Sequence, residues 1–466
     1  MIYINPAKAL FFLESKQIIS QREISMQSRT TEKDGEKLLS KINPEEMGRV
    51  FKKALKQGFI KEGDTAVIFY DLSRLTGRIV DLKKVFPPSA LHAIAIKANP
   101  LKKILRRVRA LGVGAEAASL AELVLAEKSG FPPKKIVFDS PVKTTRELEY
   151  ALKLGVHINL DNFQELERVV GLFENINSKS SIGIRINPQV GMGRIHSTSV
   201  AGEYSKFGIA LKTHRTQLLE SFLRYRWLRG VHLHVGSQGC EVDLLIKGVE
   251  KVFDFVEEVN ESRQKDGGGP KVDIFDIGGG LPVSYHEGEE PLRMADYKKA
   301  IQSRCPKLFG DEYRLITEFG RYIHANVGWV ASRVEYVKPE ANIHTALIHV
   351  GADLFLRKCL NPEDWHYDMS VLDKDGKVKP GPMKQFVIAG PLCFSGDVVA
   401  RGVLLPEIQS GDYVLVHDTG AYTLSMWSRY NSREVPKVVG YREEGDEIQV
   451  LKRRERIEEV IDFWGE

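Results

Sequence analysis

Cysteine is scarce in this 466-residue chain, which contains four. They stand at Cys240, Cys305, Cys359 and Cys393, and no two of them have the CxxC spacing of a redox or zinc motif. This distribution argues against a disulfide-stapled scaffold and favours free thiols in a reducing compartment.

The sequence also lacks long hydrophobic runs and a strong excess of one charge. No stretch reaches the roughly 20 apolar residues that a membrane-spanning helix requires. The 67 basic and 62 acidic residues give a net charge of +5, which is too small to indicate nucleic acid or a membrane surface as a partner. An apolar pentapeptide at 9–13 is followed at once by Glu14, so a secretory signal is not indicated and a cytoplasmic location is expected.

What the chain does have is a regular alternation of apolar strands and helical patterns, starting near residue 90. Eight such units over roughly 240 residues predict an α/β protein with a (β/α)8 TIM-type barrel. An open, doubly wound sheet is the alternative that strand counting leaves open. The strand candidates lie at 92–97, 113–118, 135–139, 156–160, 181–187, 228–235, 272–277 and 314–319.

The pattern changes after about residue 330. Short strands separated by turns replace the helices there, until a final helical pattern at 454–463. This predicts a second, all-β domain, either a β-barrel or a sandwich. The strand near residue 67 precedes the barrel but is predicted to join that second domain. The predicted divisions are an extension at 1–45, an N-terminal segment at 46–90, a barrel at 91–330 and a C-terminal β domain at 331–466.

Lys97 ends the first predicted barrel strand. The apolar run at 93–96 leads to it, and Pro100 then stops the strand. Barrel enzymes place their chemistry at the carboxyl ends of strands, and desolvation lowers the pKa of a lysine. We therefore expect Lys97 to be a nucleophilic amine suited to Schiff-base chemistry. The alternative is a strand-end lysine that reaches solvent.

Three further strand ends carry glycine-rich or polar motifs. The glycines at 278–280 let backbone N–H groups approach an anion, phosphate above all, although a tight turn explains them equally well. His232 and His234 share one face of a strand, but no matching ligands stand nearby, so no metal site is predicted. Glu318 ends the eighth predicted strand, beside Gly320 and Arg321. Its carboxylate at a barrel mouth suits pairing with the protonated ring nitrogen of a ligand, and the alternative is a structural ion pair with Arg321.

In combination these motifs resemble the diaminopimelate/ornithine decarboxylase family of pyridoxal-phosphate enzymes, which have alanine-racemase-like barrels. Diaminopimelate decarboxylases are the most similar branch. The resemblance runs from about residue 65 to 460. It rests on Lys-Ala-Asn at 97–99, Lys-Phe-Gly-Ile at 206–209, His-Val-Gly-Ser at 234–237, Gly-Gly-Gly at 278–280, Gly-Ala-Tyr at 420–422, Ser-Met at 425–426 and Tyr-Asn-Ser-Arg at 430–433.

The resemblance implies pyridoxal 5′-phosphate as the cofactor and a role for each matching residue. Lys97 would carry the cofactor covalently, His234 would stack on its ring, and Glu318 would pair with its ring nitrogen. The residues implied as the phosphate site are Ser237, Gly278, Gly279, Gly280, Gly320, Arg321 and Tyr422.

The resemblance also implies an amino-acid α-decarboxylase that is a homodimer with shared active sites. Cys393 and Tyr422 would reach into the partner's barrel. Cys393 would be the acid that protonates the carbanion left by the departure of carbon dioxide. The residues implied to contact the substrate are Arg321, Arg357, Phe394 and Tyr422.

The sequence departs from the family mainly where the substrate binds. Phe394 stands where diaminopimelate decarboxylases usually have a glutamate that binds the distal ammonium, and losing that charge-assisted bond costs about 1.5–3 kcal/mol. Cation–π attraction to the phenyl ring returns only part of this. Arg357, which binds a distal carboxylate in the family, is kept. We therefore expect a substrate with a distal carboxylate or other anionic group and no distal amine, as in siderophore or other specialised metabolism.

The same motifs are compatible with other functions. The chain would be an authentic meso-diaminopimelate decarboxylase that makes L-lysine if the substituted pocket still accepts that substrate. A racemase shares the barrel and the cofactor, but the Cys393 motif and Tyr422 argue against it. A non-catalytic cofactor-binding protein is a third possibility, although such proteins usually lack a second β domain. Glu116 also departs from the family, which has aspartate at this position.

Overall fold

The computed structural model describes residues 41–173, 175–289, 292–340 and 343–465. The predicted extension at 1–45 therefore lies almost wholly outside the described residues.

The strands, numbered in chain order, form two nine-stranded sheets. The first contains β2 (Leu91–Ala95), β3 (Gly114–Ala117), β4 (Ile136–Phe138), β5 (His157–Leu160), β6 (Ile182–Asn187), β7 (Ile209–Ala210), β8 (Leu228–His232), β9 (Ile274–Asp276) and β10 (Arg314–Thr317). The second contains β1 (Ala66–Asp71), β11 (Gly328–Lys338), β12 (His344–Ile348), β13 (Met369–Leu372), β14 (Met383–Ala389), β15 (Val398–Pro406), β16 (Tyr413–Val416), β17 (Lys437–Arg442) and β18 (Glu447–Lys452).

The first sheet closes into a ring. Its pairings are all parallel, β10 pairs with β2, and β5 pairs with β6, so eight strands form a circle with β7 attached to β6. This closure confirms the predicted TIM-type barrel and excludes the open doubly wound sheet. All eight predicted strand positions overlap an observed barrel strand.

The helices are amphipathic or capped as the sequence indicates. In α5 the Thr144 side chain accepts the N–H of Glu147, whose carboxylate in turn accepts the N–H of Thr144. The helices are α1 (Pro44–Lys56), α2 (Leu72–Val85), α3 (Lys102–Ala110), α4 (Leu120–Lys128), α5 (Thr145–Leu154), α6 (Phe163–Phe173), α7 (Leu211–Arg224), α8 (Val242–Lys265), α9 (Met294–Arg304), α10 (Arg321–His324), α11 (Leu356–Leu360) and α12 (Ile457–Phe463). Within the described ranges, none combines the length and apolar character that a membrane crossing needs.

The second sheet confirms the predicted β domain, and β1 is one of its strands. β1 pairs antiparallel with β11 and parallel with β17, so a strand that precedes the barrel in sequence lies inside the second sheet. The rings of Phe69 and Trp329, which are opposite each other in this register, stack 4.0 Å apart. The sheet is mixed, and α1 packs on it through Val50 and Phe51, so the domain is not purely β.

The barrel interior is apolar at one end and polar at the other. A small buried cluster fills the amino-terminal end and includes Val137, Ile274 and Ile316. Because successive side chains alternate across a strand, the residues two positions further on point the same way. These residues are Asp139, Asp276 and Glu318. The alternation of side chains thus places a group of carboxyl groups at the carboxyl-terminal mouth of the barrel, beyond the apolar cluster.

Candidate active site

A cavity of about 360 Å³ opens at this mouth. It gathers most of the residues that the sequence analysis singled out, whereas Cys393 and Phe394 do not occur among the described residues that line it. The lining includes Lys97, Asp139, Arg185, His234, Ser237, Lys206, Glu318, Arg321, Arg357 and Tyr422.

Lys97 lies in a single 3-10 turn directly after β2 and donates a hydrogen bond from Nζ to Oε2 of Glu116 at 2.7 Å. Burial lowers the pKa of Lys97, but the negative charges of Glu116 and Glu318 outweigh it, so the pKa lies above its usual value. The expectation of a lowered pKa for Lys97 was therefore wrong. The cause is the set of carboxylates that neighbouring strands bring to the amine.

Glu116 is fully buried on β3. Burial raises the pKa of its carboxyl group, although the ammonium of Lys97 acts in the opposite direction. Its second oxygen, Oε1, has no hydrogen-bond partner among the described residues. Glu116 is therefore a carboxylate that readily accepts a proton, and it stands in direct contact with the amine.

Glu318 and Asp139 hold His232 between them. Its ring nitrogens lie 3.5 Å from an oxygen of each carboxylate. Burial lowers the pKa of His232, but the two carboxylates raise it more, to about 10. Burial raises the pKa of Glu318, but the His232 cation outweighs this and keeps the pKa below its usual value. Glu318 is thus an anion, and its buried Oε1 has no hydrogen-bond partner in the described part of the chain.

His234 is a neutral ring at the cavity wall. Burial lowers its pKa to about 3. Its Nδ1 accepts the backbone N–H of Gly279 at 3.2 Å, which places the ring proton on Nε2. A neutral, oriented imidazole of this kind suits stacking on an aromatic ligand.

The Gly278–Gly280 turn packs too tightly for any other residue. A Cβ on Gly279 would lie 2.5 Å from the carbonyl oxygen of Glu318, and one on Gly280 would lie 2.1 Å from that of Gly236. Gly280 also has a φ of 101°. The tight-turn interpretation is therefore correct, and it is compatible with anion binding because the turn packs against the cavity residues His234 and Glu318.

Arg321 and Arg357 form one end of the cavity around two aromatic rings. The Arg321 guanidinium lies 4.8 Å from the centre of the Tyr422 ring and 5.0 Å from that of Trp365. The Arg357 guanidinium lies 4.9 Å and 5.2 Å from the same two ring centres. Arg321 also donates to Tyr285 Oη at 2.7 Å and to Ser237 Oγ at 3.2 Å. Cation–π contacts therefore fix the two cations side by side.

Tyr422 belongs to the cavity of its own chain. Its backbone N–H donates to the carbonyl of Ala98 at 3.0 Å, next to Lys97. Its hydroxyl lies 3.2 Å from where a Cβ of Gly320 would stand. The expectation that Tyr422 reaches into a partner's barrel is therefore wrong. The turn after β16 folds back onto the first barrel strand of the same chain.

Several site residues had no assigned role in the sequence analysis. Arg185, on β6, donates to Asp139 at 3.1 Å and neutralises it. Asp139 and Arg185 both lie within predicted strands, at positions where polar side chains are unusual, and that was the available signal. Trp365 had no such signal, because it lies in an irregular segment between α11 and β13.

The residues present fit pyridoxal 5′-phosphate. A buried, anionic Glu318 has an unpaired oxygen for a protonated ring nitrogen, and neutral His234 offers a stacking face. The glycine turn leaves space that side chains would fill, and Lys97 supplies the amine. Each of these four features matches a different part of the cofactor.

Comparison with known proteins agrees with this fit. A family model described as "Pyridoxal-dependent decarboxylase, pyridoxal binding domain" matches residues 72–325, which is more than half of the chain. The diaminopimelate decarboxylase of Helicobacter pylori is 31% identical over 408 residues, 85% of this chain and 94% of that protein. The diaminopimelate decarboxylase of Aquifex aeolicus is 28% identical over 435 residues, 92% of this chain and 96% of that protein.

The fold comparison points the same way. A crystal structure of diaminopimelate decarboxylase from Helicobacter pylori, complexed with L-lysine, has a TM-score of 0.76 and 29% sequence identity to this chain. The match covers 88% of this chain and 99% of that one. This chain therefore belongs to the pyridoxal-dependent decarboxylase family and is an enzyme that uses pyridoxal phosphate to decarboxylate an amino acid.

Proposed function

We propose that this decarboxylase acts on an amino acid that carries a distal carboxylate or other anionic group and no distal amine. The observation that carries the proposal is the paired cationic end of the cavity, where Arg321 and Arg357 lie against the same two rings. Two guanidinium groups in one wall favour an anionic substrate group through bidentate, charge-assisted hydrogen bonds.

The same cavity offers little to a distal ammonium. The carboxylates that line it in the described part of the chain are Asp139 and Glu318. Asp139 is paired with Arg185, and both carboxylates flank the His232 cation. A substrate ammonium would therefore have to compete with cations that the protein itself supplies.

We also infer a homodimer with shared active sites. Cys393 is exposed, and its N–H donates to Asn431 Oδ1 at 2.8 Å. The Phe394 ring packs edge-on against Tyr430, 6.0 Å between centres. Neither residue lines the Lys97 cavity of its own chain in the described ranges. This position supports the proposal that both serve the cavity of a second copy of the chain.

In the proposed reaction each residue has a limited task. Pyridoxal phosphate, when bound, supplies an electron-accepting ring that stabilises the negative charge left at Cα as carbon dioxide leaves. Glu318 would hold a proton on the ring nitrogen of the bound cofactor, and Glu116 would accept a proton from Lys97 and return it. Arg321 and Arg357 orient the substrate through its anionic end.

Proton delivery to Cα is the remaining task, and we assign it to Cys393 from the second copy. Its thiol is exposed in the described chain and is therefore available to another subunit. We further infer a cytoplasmic location, because none of the four cysteines is paired.

The substrate proposal is tested by carbon dioxide release from the holoenzyme. The panel compares meso-diaminopimelate, lysine and ornithine with glutamate and carboxylate-bearing amino-acid conjugates that lack a distal amine. We expect turnover only in the second group. Phe394→Glu should shift preference towards substrates with a distal ammonium by about 10- to 100-fold, the equivalent of one charge-assisted hydrogen bond.

Phe394→Leu is the matched control, because it changes the side chain without adding charge. Efficient turnover of meso-diaminopimelate by the wild type would overturn the proposal. It would instead favour the second candidate function, synthesis of L-lysine, which the names of the relatives at about 30% identity support.

A further inference from the structure

We propose that His286, His366 and Asp368 form a binding site for a divalent transition ion of the Zn²⁺ class. The site lies on the outer side of the two segments, 281–289 and 361–368, whose inner side chains Tyr285 and Trp365 contact Arg321. It is separate from the cofactor cavity, and the inference does not depend on the substrate proposal.

The three side chains come together from two distant segments. One ligand atom from each residue lies within 4.8 Å of the other two. The imidazole rings of His286 and His366 stack 3.9 Å apart, and His366 Nε2 is 2.8 Å from Asp368 Oδ1. Both histidines are exposed, so an ion can reach them from solvent.

The donor set selects the class of ion. Two imidazole nitrogens and one carboxylate oxygen suit Zn²⁺ and similar borderline ions, whereas Ca²⁺ and Mg²⁺ prefer oxygen alone. Tetrahedral Zn²⁺ requires ligand atoms about 3.3 Å apart, so the two exposed rings have to rotate for the three donor atoms to converge on an ion. Glu287 and Glu289, in the same exposed turn as His286, add negative charge that favours a cation.

The backbone around the ligands is already fixed. The carbonyl of His286 accepts a hydrogen bond from Ser284 Oγ at 2.8 Å, and the carbonyl of Asp368 accepts the N–H of His417 at 3.0 Å. Only the side chains then need to adjust when an ion binds, which keeps the conformational cost of binding small.

The proposed ion site bears on the cofactor cavity because the inner side chains of segments 281–289 and 361–368 pack around Arg321. Tyr285, next to His286, accepts a hydrogen bond from Arg321 and is buried. Trp365 and Tyr367, which flank His366, are also buried and lie edge-on to Tyr285 at 6.5 and 5.7 Å. An ion on the outer side therefore fastens together the segments 281–289 and 361–368, whose inner side chains position Arg321.

The test is a Zn²⁺ titration of the cofactor-loaded protein without a histidine tag, by calorimetry and by competition with a chromophoric chelator. We expect one Zn²⁺ per chain in the wild type. His286→Gln and His366→Gln should each bind it at least about tenfold more weakly, since even second-sphere changes have effects of that size. His214→Gln, which alters an exposed histidine on α7, is the matched control and should bind as the wild type does.

Hydrogen exchange supplies a second measurement on the same samples. Zn²⁺ should slow exchange in 281–289 and 361–368 of the wild type and of His214→Gln, but not of His366→Gln. Retained visible absorbance of the cofactor shows that each variant is folded. The proposal is wrong if the wild type shows no saturable Zn²⁺ binding, if the two site variants bind as tightly as the wild type, or if protection appears elsewhere in the chain.

Discussion

At the residue scale, the proposed attachment of the cofactor depends on Lys97 and Glu116. The amine is held as a cation by a buried carboxylate 2.7 Å away, yet it must be neutral to attack an aldehyde. Glu116 resolves this conflict, because burial raises its pKa and makes it a ready acceptor for the proton. The Glu116 carboxylate can therefore hold the proton that Lys97 releases, next to the Lys97 amine.

Replacing Glu116 tests this arrangement. In Glu116→Gln the nearest anion is gone while the burial that disfavours an ammonium remains, so the pKa of Lys97 should fall. Cofactor uptake by the apoprotein needs the neutral amine, so the midpoint of its rate against pH should move to lower pH. The measurement is the visible absorbance of the bound cofactor as a function of time and pH.

A surface carboxylate provides the control for that experiment. Glu335→Gln alters a partly exposed residue on β11 that pairs with Arg333 and His349, and its midpoint should equal that of the wild type. An unchanged midpoint in Glu116→Gln would show that Glu116 does not govern the charge of Lys97.

The position of Lys97, His234 and Glu318 at the barrel mouth was predictable from the sequence. Each of them closely follows the end of a strand, and parallel strands bring such ends together. The direction of the Lys97 pKa shift was not predictable, because it depends on distances between side chains of different strands. Glu116 and Glu318 are more than 200 positions apart in sequence, and only the closed barrel places both beside one amine.

At the scale of elements, predictability followed the burial pattern. The barrel strands are buried on both faces and read as apolar runs, so all eight were located. In the second sheet the sequence predicts strands at 334–338, 385–389, 413–417, 437–441 and 448–451, which overlap β11, β14, β16, β17 and β18, whereas β12, β13 and β15 were missed. β15 lies at the sheet edge with six of its nine residues at least partly exposed, and β13 has four residues, so neither shows a clear apolar pattern.

The aromatic side chains Tyr285 and Trp365, which pack against Arg321, could not be predicted from the pattern of single helices and strands. Trp365 lies in an irregular segment of the second domain and Tyr285 in the loop after β9. Neither segment has a periodic pattern, and their contact arises only when the two domains meet. These segments contact Arg321 on their inner side and carry the proposed His286 site on their outer side. Both features were therefore visible only in three dimensions.

At the scale of the whole molecule, the shared-site proposal is tested by mixing inactive variants. Lys97→Ala and Cys393→Ser would each be inactive alone, but a mixed dimer has one intact site if Cys393 serves the other subunit. Random reassembly should then restore about a quarter of the wild-type activity. Carbon dioxide release after mixing and re-equilibration measures this.

The control for mixing follows from the placement of Tyr422. Lys97 and Tyr422 line the same cavity of one chain, so Lys97→Ala mixed with Tyr422→Phe leaves no intact site and should regain nothing. Equal recovery in both mixtures would contradict the proposed division of the site between subunits.

The stability of the molecule should have a maximum near neutral pH. Burial lowers the pKa of His92 and His157 to about 4 and that of His324 to about 3. Below about pH 6.5 the unfolded chain takes up protons that these rings do not, so stability falls with pH, by up to about 1.4 kcal/mol per pH unit for each ring. His232, with a raised pKa of about 10, acts oppositely, and its contribution is lost as pH rises from about 6.5 towards 10.

Melting temperatures between about pH 5 and about pH 9 check this expectation. His324→Phe removes a fully buried ring whose nitrogens have no hydrogen-bond partner among the described residues, and it should flatten the acid side of the curve. His214→Gln, at an exposed position, should leave the curve unchanged. A melting temperature that does not vary below neutral pH would refute the argument.

The position of β1 has a consequence for synthesis. The ribosome makes β1 before the barrel, but its neighbours β11 and β17 begin at Gly328 and Lys437. At about 5–20 residues per second, β1 waits roughly 13 to 50 s for the first neighbour and roughly 20 to 70 s for the second. Until β11 emerges, β1 is an apolar strand with two unpaired edges, and until β17 emerges it still has one, beside a barrel that is already folding. The nascent chain is thus most prone to mispairing before β17 emerges, and a chaperone that shields β1 during translation would raise the yield of folded enzyme.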